Sequence, residues 1–190
     1  VRVVTNLSTG RLGAALARAL AARGDEVTLL ATRGVADVAG VRRVPFGTAA
    51  ELDRAIDGVL AEGPVDLVYM AAAVSDWAPV PHEGKLASNG DELVLRLRPV
   101  VKILPTLRGR CGSAATLVGF KLLSGAKDDV LVAAARRQIR ACRLDLCVAN
   151  DLRRIGDRHP VWLVSASEAR QVDGTKDEVA AEIVRATVRR

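Results

Sequence analysis

The sequence predicts an α/β fold of three layers (α/β/α), with a mainly parallel sheet between two layers of helices. Two observations carry this reading. Short runs rich in Val, Leu and Ile (EVTLLA, DLVYMAAA, ATLVGF, LDLCVAN) alternate with segments of helical period. Those runs are mostly apolar and read as buried strands, as expected of a parallel sheet covered on both faces.

The helical segments follow in order. Thr9 to Arg23 repeats small apolar residues and closes on Gly24, a helix stop. Thr48 to Glu62 opens on a cap-like Thr and sets Leu52, Ile56, Val59 and Leu60 on one side. Lys127 to Ala141 is rich in Ala, with Arg136, Arg137 and Arg140 towards the end where cations suit the helix dipole. Thr175 to Val188 starts with the Thr175–Glu178 spacing of a capping box. Two stretches depart from the alternation. ELVLRLRP alternates apolar and charged residues, which predicts a half-exposed strand or ribbon arm. VWLVS followed by EARQV predicts a hairpin at a sheet edge. The stretch from Ala71 to Gly90 has two prolines and no periodicity, and structureless loops of that length are usually functional. With no repeat or linker in its 190 residues, the chain reads as one domain over 1–190.

Composition narrows the function. Hydrophobic residues make up 49% and charged residues 26%, which suffices for a core and excludes wholesale disorder. Aromatic residues make up only 3%, against a base-stacking nucleic-acid module. No apolar run nears the roughly 20 residues of a membrane span, and the start lacks the apolar core of a signal peptide. Cys111, Cys142 and Cys147 form no even disulfide framework and, with His82 and His159 the only histidines, no evident zinc site. These features predict a cytoplasmic protein. A net charge of +6 suits an anionic partner or simply solvated helix faces. Because the sequence begins with Val, residues are expected to precede Val1.

In such sheets ligands bind beyond the carboxyl ends of the strands. The polar turn Asn6 to Gly13 opens a helix, and its small residues would let amides approach a phosphate. It matches neither GxGxxG nor a P-loop, and a plain helix cap with Gly13 packed on a strand stays open. After DLVYM, the alanines would admit a flat group, and Asp76 would accept hydroxyl hydrogen bonds, help hold a metal, or cap a turn. Lys85 would close over phosphate or be solvated. Phe120, at the end of GF, would stack on a base or plug the core. Asn150 and Asp151 would serve a ligand or an ordinary turn. A short-chain dehydrogenase needs a Tyr with Lys four residues later, but Tyr69 is followed there by Ala73. GxSxG is absent. Cys142 and Cys147 read as packing residues.

Taken in order, VRVVTNLSTGRLG, AAAVSDW, the GKLAS loop, VKIL, GFKLL and LDLCVANDL resemble the phosphopantothenoylcysteine synthetase family of coenzyme A biosynthesis. GFKLL and VKILPTL are most similar to its monofunctional bacterial members. The resemblance implies a Rossmann-like fold and a two-step ligase. The carboxylate of 4′-phosphopantothenate would attack the α-phosphate of CTP or ATP, with Mg²⁺, releasing pyrophosphate; cysteine would then take the acyl group. It implies a catalytic Asn6 and a flap Lys85. It implies a phosphate turn at Ser8, Thr9, Gly10 and Gly13, and nucleotide contacts at Ala72, Ala73 and Asp76. The backbone of Val101, Lys102, Ile103 and Leu104 and the ring of Phe120 would frame the base. Lys121, Arg137 and Arg140 would supply charge. Family members usually carry a further strand and a Thr-Ser-Gly-Gly-Thr loop before the VR pair, so the sequence is expected to continue upstream. They also form homodimers in which an arm completes the partner's site, a role that ELVLRLRP would suit. A non-catalytic nucleotide-binding module and a nicotinamide-dependent reductase are the two alternatives.

Overall fold

A computed structural model describes residues 8–81, 83–84 and 93–188. Helix α1 (Arg11–Ala21) stops where Gly24 adopts a positive φ of 87°. Strand β1 (Thr28–Ala31) pairs in parallel with β2 (Arg42–Pro45). Helix α2 (Ala49–Glu62) has the full reciprocal capping box: the Thr48 hydroxyl accepts from the Glu51 amide, and the Glu51 carboxylate accepts from the Thr48 amide. Strand β3 (Leu67–Met70) leads to a two-stranded antiparallel ribbon of β4 (Trp77–Pro79) and β5 (Leu97–Pro99). A 3-10 turn at Leu104–Thr106 runs into the short α3 (Leu107–Cys111). Then come β6 (Thr116–Leu123), α4 (Asp128–Cys142) and β7 (Leu146–Asp151). The hairpin of β8 (Val161–Val164) and β9 (Ala169–Val172) and helix α5 (Lys176–Val188) complete the order. The capping box of α5 is also present, between Thr175 and Glu178.

The main sheet runs β3-β6-β7-β8-β9, parallel through β7 and antiparallel in the hairpin. Among the described residues β1 and β2 form a separate parallel pair, so the sheet is in two parts. The period of two along each strand divides the core into layers. Val118, Leu146, Val148, Val161 and Leu163 face α1 and α5. Leu117, Cys147, Ala149 and Val164 face the other way, towards α2, α3 and α4 through Leu52, Leu107 and Leu131. A third cluster packs α1 on β1 through Ala14, Ala17 and Ala31. Tyr69 on β3 is hydrogen-bonded to Thr187 at 2.5 Å, which ties α5 to the sheet. The three-layer arrangement and the edge hairpin are as expected from the sequence. The arm is narrower than expected: among the described residues of ELVLRLRP only Leu97–Pro99 is a strand, and all three are exposed. The strand β2 and helix α3 were not expected at all. No helix among the described residues is long and apolar enough to cross a membrane.

Burial of His159 gives a pH-dependent stability. The residue is 4% exposed, and neither ring nitrogen has a hydrogen-bond partner. Burial, and then the Lys176 charge, hold its pKa below the usual value near 6.5. Between the folded pKa and 6.5 the unfolded chain therefore binds more protons than the folded one. Stability is full above about pH 6.5 and falls as pH drops towards the folded pKa, by at most about 1.4 kcal/mol per pH unit for one proton. Urea midpoints measured from pH 7.5 to 5 should show this slope in the parent and lose it in His159→Leu. Equal slopes in the two proteins would refute the assignment.

Candidate functional site

The carboxyl end of β3 gathers several of the predicted site residues. Ala72 is half-buried against the core and Ala73 is exposed, so the chain leaves the sheet with little side-chain bulk. Ser75 makes a tight turn, its hydroxyl donating to the Trp77 carbonyl at 2.7 Å. Asp76 then binds the chain at two points. Its carbonyl accepts the Val100 amide at 2.9 Å, and its carboxylate accepts from the Lys102 ammonium. Two stretches separated by the long loop are thus joined, AAAVSDW and VKIL. Both charged side chains stay open to solvent, 65% exposed for Asp76 and 60% for Lys102.

Along VKIL, exposure falls in steps. Val101 is 81% exposed, Ile103 is 5% exposed, and Leu104 opens the 3-10 turn. Beside this turn, strand β6 makes room at Gly119 for Leu144, which follows α4. A Cβ there would lie 2.5 Å from Leu144 Cδ1 and 3.6 Å from Leu104 Cδ2. The Gly of GFK is therefore a packing requirement.

The turn before α1 has a comparable constraint. Gly10 is the N-cap with φ +64°, and a Cβ on it would sit 2.4 Å from Val35 Cγ2. Ser8 and Thr9 are exposed just ahead of the first amides of α1. A Cβ on Gly13 would meet nothing within 4 Å, so packing against a strand does not demand that glycine. Gly10→Ala is expected to lose about 1–3 kcal/mol through strain and overlap. Gly13→Ala should be neutral or gain up to about 1 kcal/mol, because a helix favours Ala over Gly. Denaturant unfolding of both variants tests this, and equal effects would refute it.

Other predicted residues are not brought to one place. Phe120 and Val118 lie on the α1 and α5 side of the sheet, where Phe120 packs in a cluster with Leu12, Ala15 and Leu16. The Val101–Leu104 segment lies on the opposite side with α3 and α4. The ring of Phe120 is thus on the same face as the Gly10 turn, and it does not share a face with VKIL. Lys121 is half-buried on the α4 side, near enough to Cys147 to act on its thiol. Arg137 and Arg140 are exposed. They lie about 14 and 18 Å along α4 from its first residue, at 1.5 Å per residue, and so towards the amino edge of the sheet. On the sheet-facing side of α4 are instead Gln138, which donates to the Phe120 carbonyl at 3.5 Å, and the buried Cys142. Asn6 and Lys85 lie outside the described residues.

Asp151 has the ordinary role of the two considered. It is 2% exposed and accepts the amides of Ala126 and Arg153, fixing the loop after β6. Burial pushes its pKa up, but those amides and that of Gly125 outweigh it and hold the carboxyl below its usual range. Cys147 is a packing residue, its thiol pushed up to about 12 by burial. Sequence reasoning missed Arg110, which binds Asp53 and Asp57 beside VKIL. The i,i+4 spacings Asp53–Asp57 and Thr106–Arg110 were available signals that each pair shares a helical face.

An acyl-transfer or phosphoryl-transfer site needs small residues at a strand end, a helix N-terminus and a cation, and these elements lie on the carboxyl side of β3 and at α1. The chain is 35% identical over 182 residues to the coenzyme A biosynthesis bifunctional protein CoaBC of Thermococcus kodakarensis, covering 95% of this chain and 45% of that protein. The chain thus spans about half the length of the curated relatives it matches. Among solved structures, the DNA/pantothenate metabolism flavoprotein from Streptococcus pneumoniae superposes with a TM-score of 0.89 at 27% identity, covering 100% of this chain and 91% of that one. The C-terminal domain of a coenzyme A biosynthesis bifunctional protein CoaBC superposes with a TM-score of 0.77 at 26% identity, covering 98% and 85%. Residues 1–189 match the family described as the DNA/pantothenate metabolism flavoprotein C-terminal domain, and the chain belongs to that family.

Proposed function

We propose that residues 1–190 form one ligase domain that joins 4′-phosphopantothenate to cysteine at the expense of a nucleoside triphosphate, CTP in preference to ATP, in the cytoplasm. The observation that carries this reading is the junction at Asp76. There the VKIL segment, exposed at Val101 and Lys102, a lysine and the alanine-lined end of β3 meet in a family whose relatives bear coenzyme A biosynthesis names. The chemistry asks for no side-chain nucleophile. A carboxylate oxygen of 4′-phosphopantothenate attacks the α-phosphorus, the bond to the bridging oxygen breaks and pyrophosphate departs. The cysteine amine then attacks the acyl carbon, loses a proton and releases the nucleoside monophosphate. What this asks of the protein is orientation and neutralisation of charge.

In this reading Ser8, Thr9, Gly10 and Gly13 present amides to phosphate, and Ala72, Ala73 and Asp76 border the nucleotide. Val101, Lys102, Ile103 and Leu104 face its base. Asn6 and Lys85 act on the acyl-nucleotide, and Phe120 closes the α1 side. Lys121, Arg137 and Arg140 have weaker support, since the two arginines point to solvent away from the strand ends. Among the described residues no three His, Cys, Asp or Glu side chains gather into a metal-holding group. Asp76, a single carboxylate beyond the end of β3, suits a Mg²⁺ that arrives on triphosphate oxygens, the usual habit of that ion. There Mg²⁺ would neutralise phosphate charge. A homodimer is also part of the proposal. Its support is the exposed apolar surface of the ribbon and its flanks, at Trp77, Leu93, Val94, Leu95 and Leu97. A light-scattering mass of one chain would remove it.

The deciding experiment is pyrophosphate release by the full-length protein with 4′-phosphopantothenate, Mg²⁺ and CTP or ATP, with and without cysteine. Cysteine-dependent turnover, faster with CTP, is the expected result. No release with either nucleotide from folded protein would refute the ligase reading and favour a non-catalytic nucleotide-binding module.

A further inference from the structure

The Val101–Leu104 segment has little regular structure of its own, yet it is held at both ends. Upstream, the Val100 amide and the Lys102 ammonium are bound by Asp76. Downstream, the hold begins on α3 with Arg110. Its guanidinium donates to the Asp53 carboxylate at 2.6 Å, the Asp53 carbonyl at 3.0 Å and the Asp57 carboxylate at 2.6 Å, all on α2. The same group reaches the Thr106 hydroxyl at 3.4 Å. That hydroxyl donates to the Ile103 carbonyl at 2.8 Å, which also takes the Thr106 amide at 2.9 Å. The chain of contacts runs from α2 through Arg110 and Thr106 to a peptide group of VKIL.

These same residues, together with Val101 and Lys102, line a cavity of about 290 Å³. The Arg110 side chain is 19% exposed, whereas the carboxylates it holds are 49% and 69% exposed. A largely buried guanidinium that holds a main-chain carbonyl as well as two carboxylates is a frame rather than a surface ion pair. Its planar fork fixes direction, which a lysine at the same place would not do.

We infer that Arg110, acting through Thr106 and the Ile103 carbonyl, is a positioning residue that sets the main-chain geometry of Val101–Leu104 and thereby the choice of base. This rests on the reading above, in which that segment faces the nucleotide base. Main-chain groups distinguish bases by where their N–H and C=O groups point, so a small tilt weakens the preferred base and its competitor unequally. A purely structural clamp would alter stability and leave that preference alone.

The test uses the full-length protein, with equilibrium binding of CTP and ATP followed by Trp fluorescence, and steady-state pyrophosphate release with each nucleotide. The variants are Arg110→Gln, Arg110→Lys, Thr106→Val and Thr106→Ser. Arg110→Gln and Thr106→Val are expected to raise the KM for the preferred nucleotide about tenfold and to shrink the kcat/KM ratio between the two nucleotides by a similar factor. The KM for cysteine should stay within about twofold, since cysteine is not read by that segment. Arg110→Lys should recover little. Thr106→Ser, which keeps the hydroxyl, should recover the parent preference. If Arg110→Gln fails to fold, the Thr106 pair carries the comparison. Lower melting temperatures with an unchanged nucleotide ratio would overturn the positioning role while leaving the ligase reading intact. A parent protein that binds neither nucleotide would overturn both.

Discussion

Arg108→Ala is expected to lose about 3 kcal/mol of folding stability and to lower the melting temperature by about 6–12 °C. The side chain is only 12% exposed. It makes four hydrogen bonds that join three segments of chain. Its Nε donates to the Arg143 carbonyl at 3.0 Å, and Nη1 donates to the carbonyls of Gly112 and Ala115 at 3.1 and 2.7 Å. Its Nη2 donates to Asp145 at 2.6 Å. The same Asp145 oxygen takes the Leu117 amide at 2.7 Å, so the network reaches the start of β6. One of its carbonyls belongs to Arg143, which holds a left-handed φ of 52° at the end of α4. That conformation is costly for a residue with a Cβ and persists only where its surroundings enforce it. Alanine removes every donor at once and leaves carbonyls and a carboxylate short of partners. Because Asp145 is 38% exposed, water rescues part of the loss, which keeps the estimate below the roughly 5 kcal/mol of a fully buried pair. Arg108→Lys should recover less than half, since an ammonium cannot span the same four acceptors. Urea unfolding with unchanged m-values would measure this, and a loss under about 1 kcal/mol would show that the network is dispensable.

Much of the fold was legible in the sequence because buried parallel strands and amphipathic helices leave strong patterns. The runs around Leu67–Met70, Thr116–Leu123 and Leu146–Asp151 are apolar on both faces, and each became a strand of the main sheet. That same apolarity hid which way each residue points. Parity in β6 puts Leu117 with Gly119 and Lys121, and Val118 with Phe120, so the separation of Phe120 from Leu117 was implicit in the count of two, whereas the packing of VKIL on the Leu117 side is tertiary. That separation went unread because neither face of the run is polar. Strand β2 escaped for the opposite reason: Arg42 and Arg43 within it and Pro45 at its end resemble a loop, and an edge strand tolerates all three. Helix α3 spans only five residues and includes Gly109, too short and too mixed for a period to register. The Arg110 network joins residues 53 and 57 to 110, a meeting that only tertiary packing creates. The rotation of α4 is a related case, since an arginine cluster says nothing of which side meets the sheet.

Asp76→Ala is expected to reduce kcat/KM for the nucleotide about 100-fold while leaving stability within about 1 kcal/mol of the parent. The two effects separate because of where the residue sits. Its ion pair with Lys102 is more than half exposed on both sides, and such pairs contribute little to folding. The hydrogen bond that holds the ribbon uses the Asp76 carbonyl, which alanine keeps. What alanine removes is the carboxylate that orients Lys102 beside the main chain of Val101–Leu104. In the proposed ligase the main chain at Lys102 faces the base while its ammonium reaches towards the nucleotide's phosphates, and a cation helps most when its direction is fixed before charge develops. Lys102→Met should therefore fall by a similar factor. The double variant should fall little further, because two residues that act as a unit lose their contribution once. Asp76→Glu tests orientation against charge, since it keeps the carboxylate but moves it by one methylene. It is expected to recover part of the KM and little of the kcat. Pyrophosphate-release kinetics alongside thermal melts check all four proteins. An Asp76→Ala enzyme within threefold of the parent, or one whose losses simply add to those of Lys102→Met, would show that this junction is not part of the reacting site.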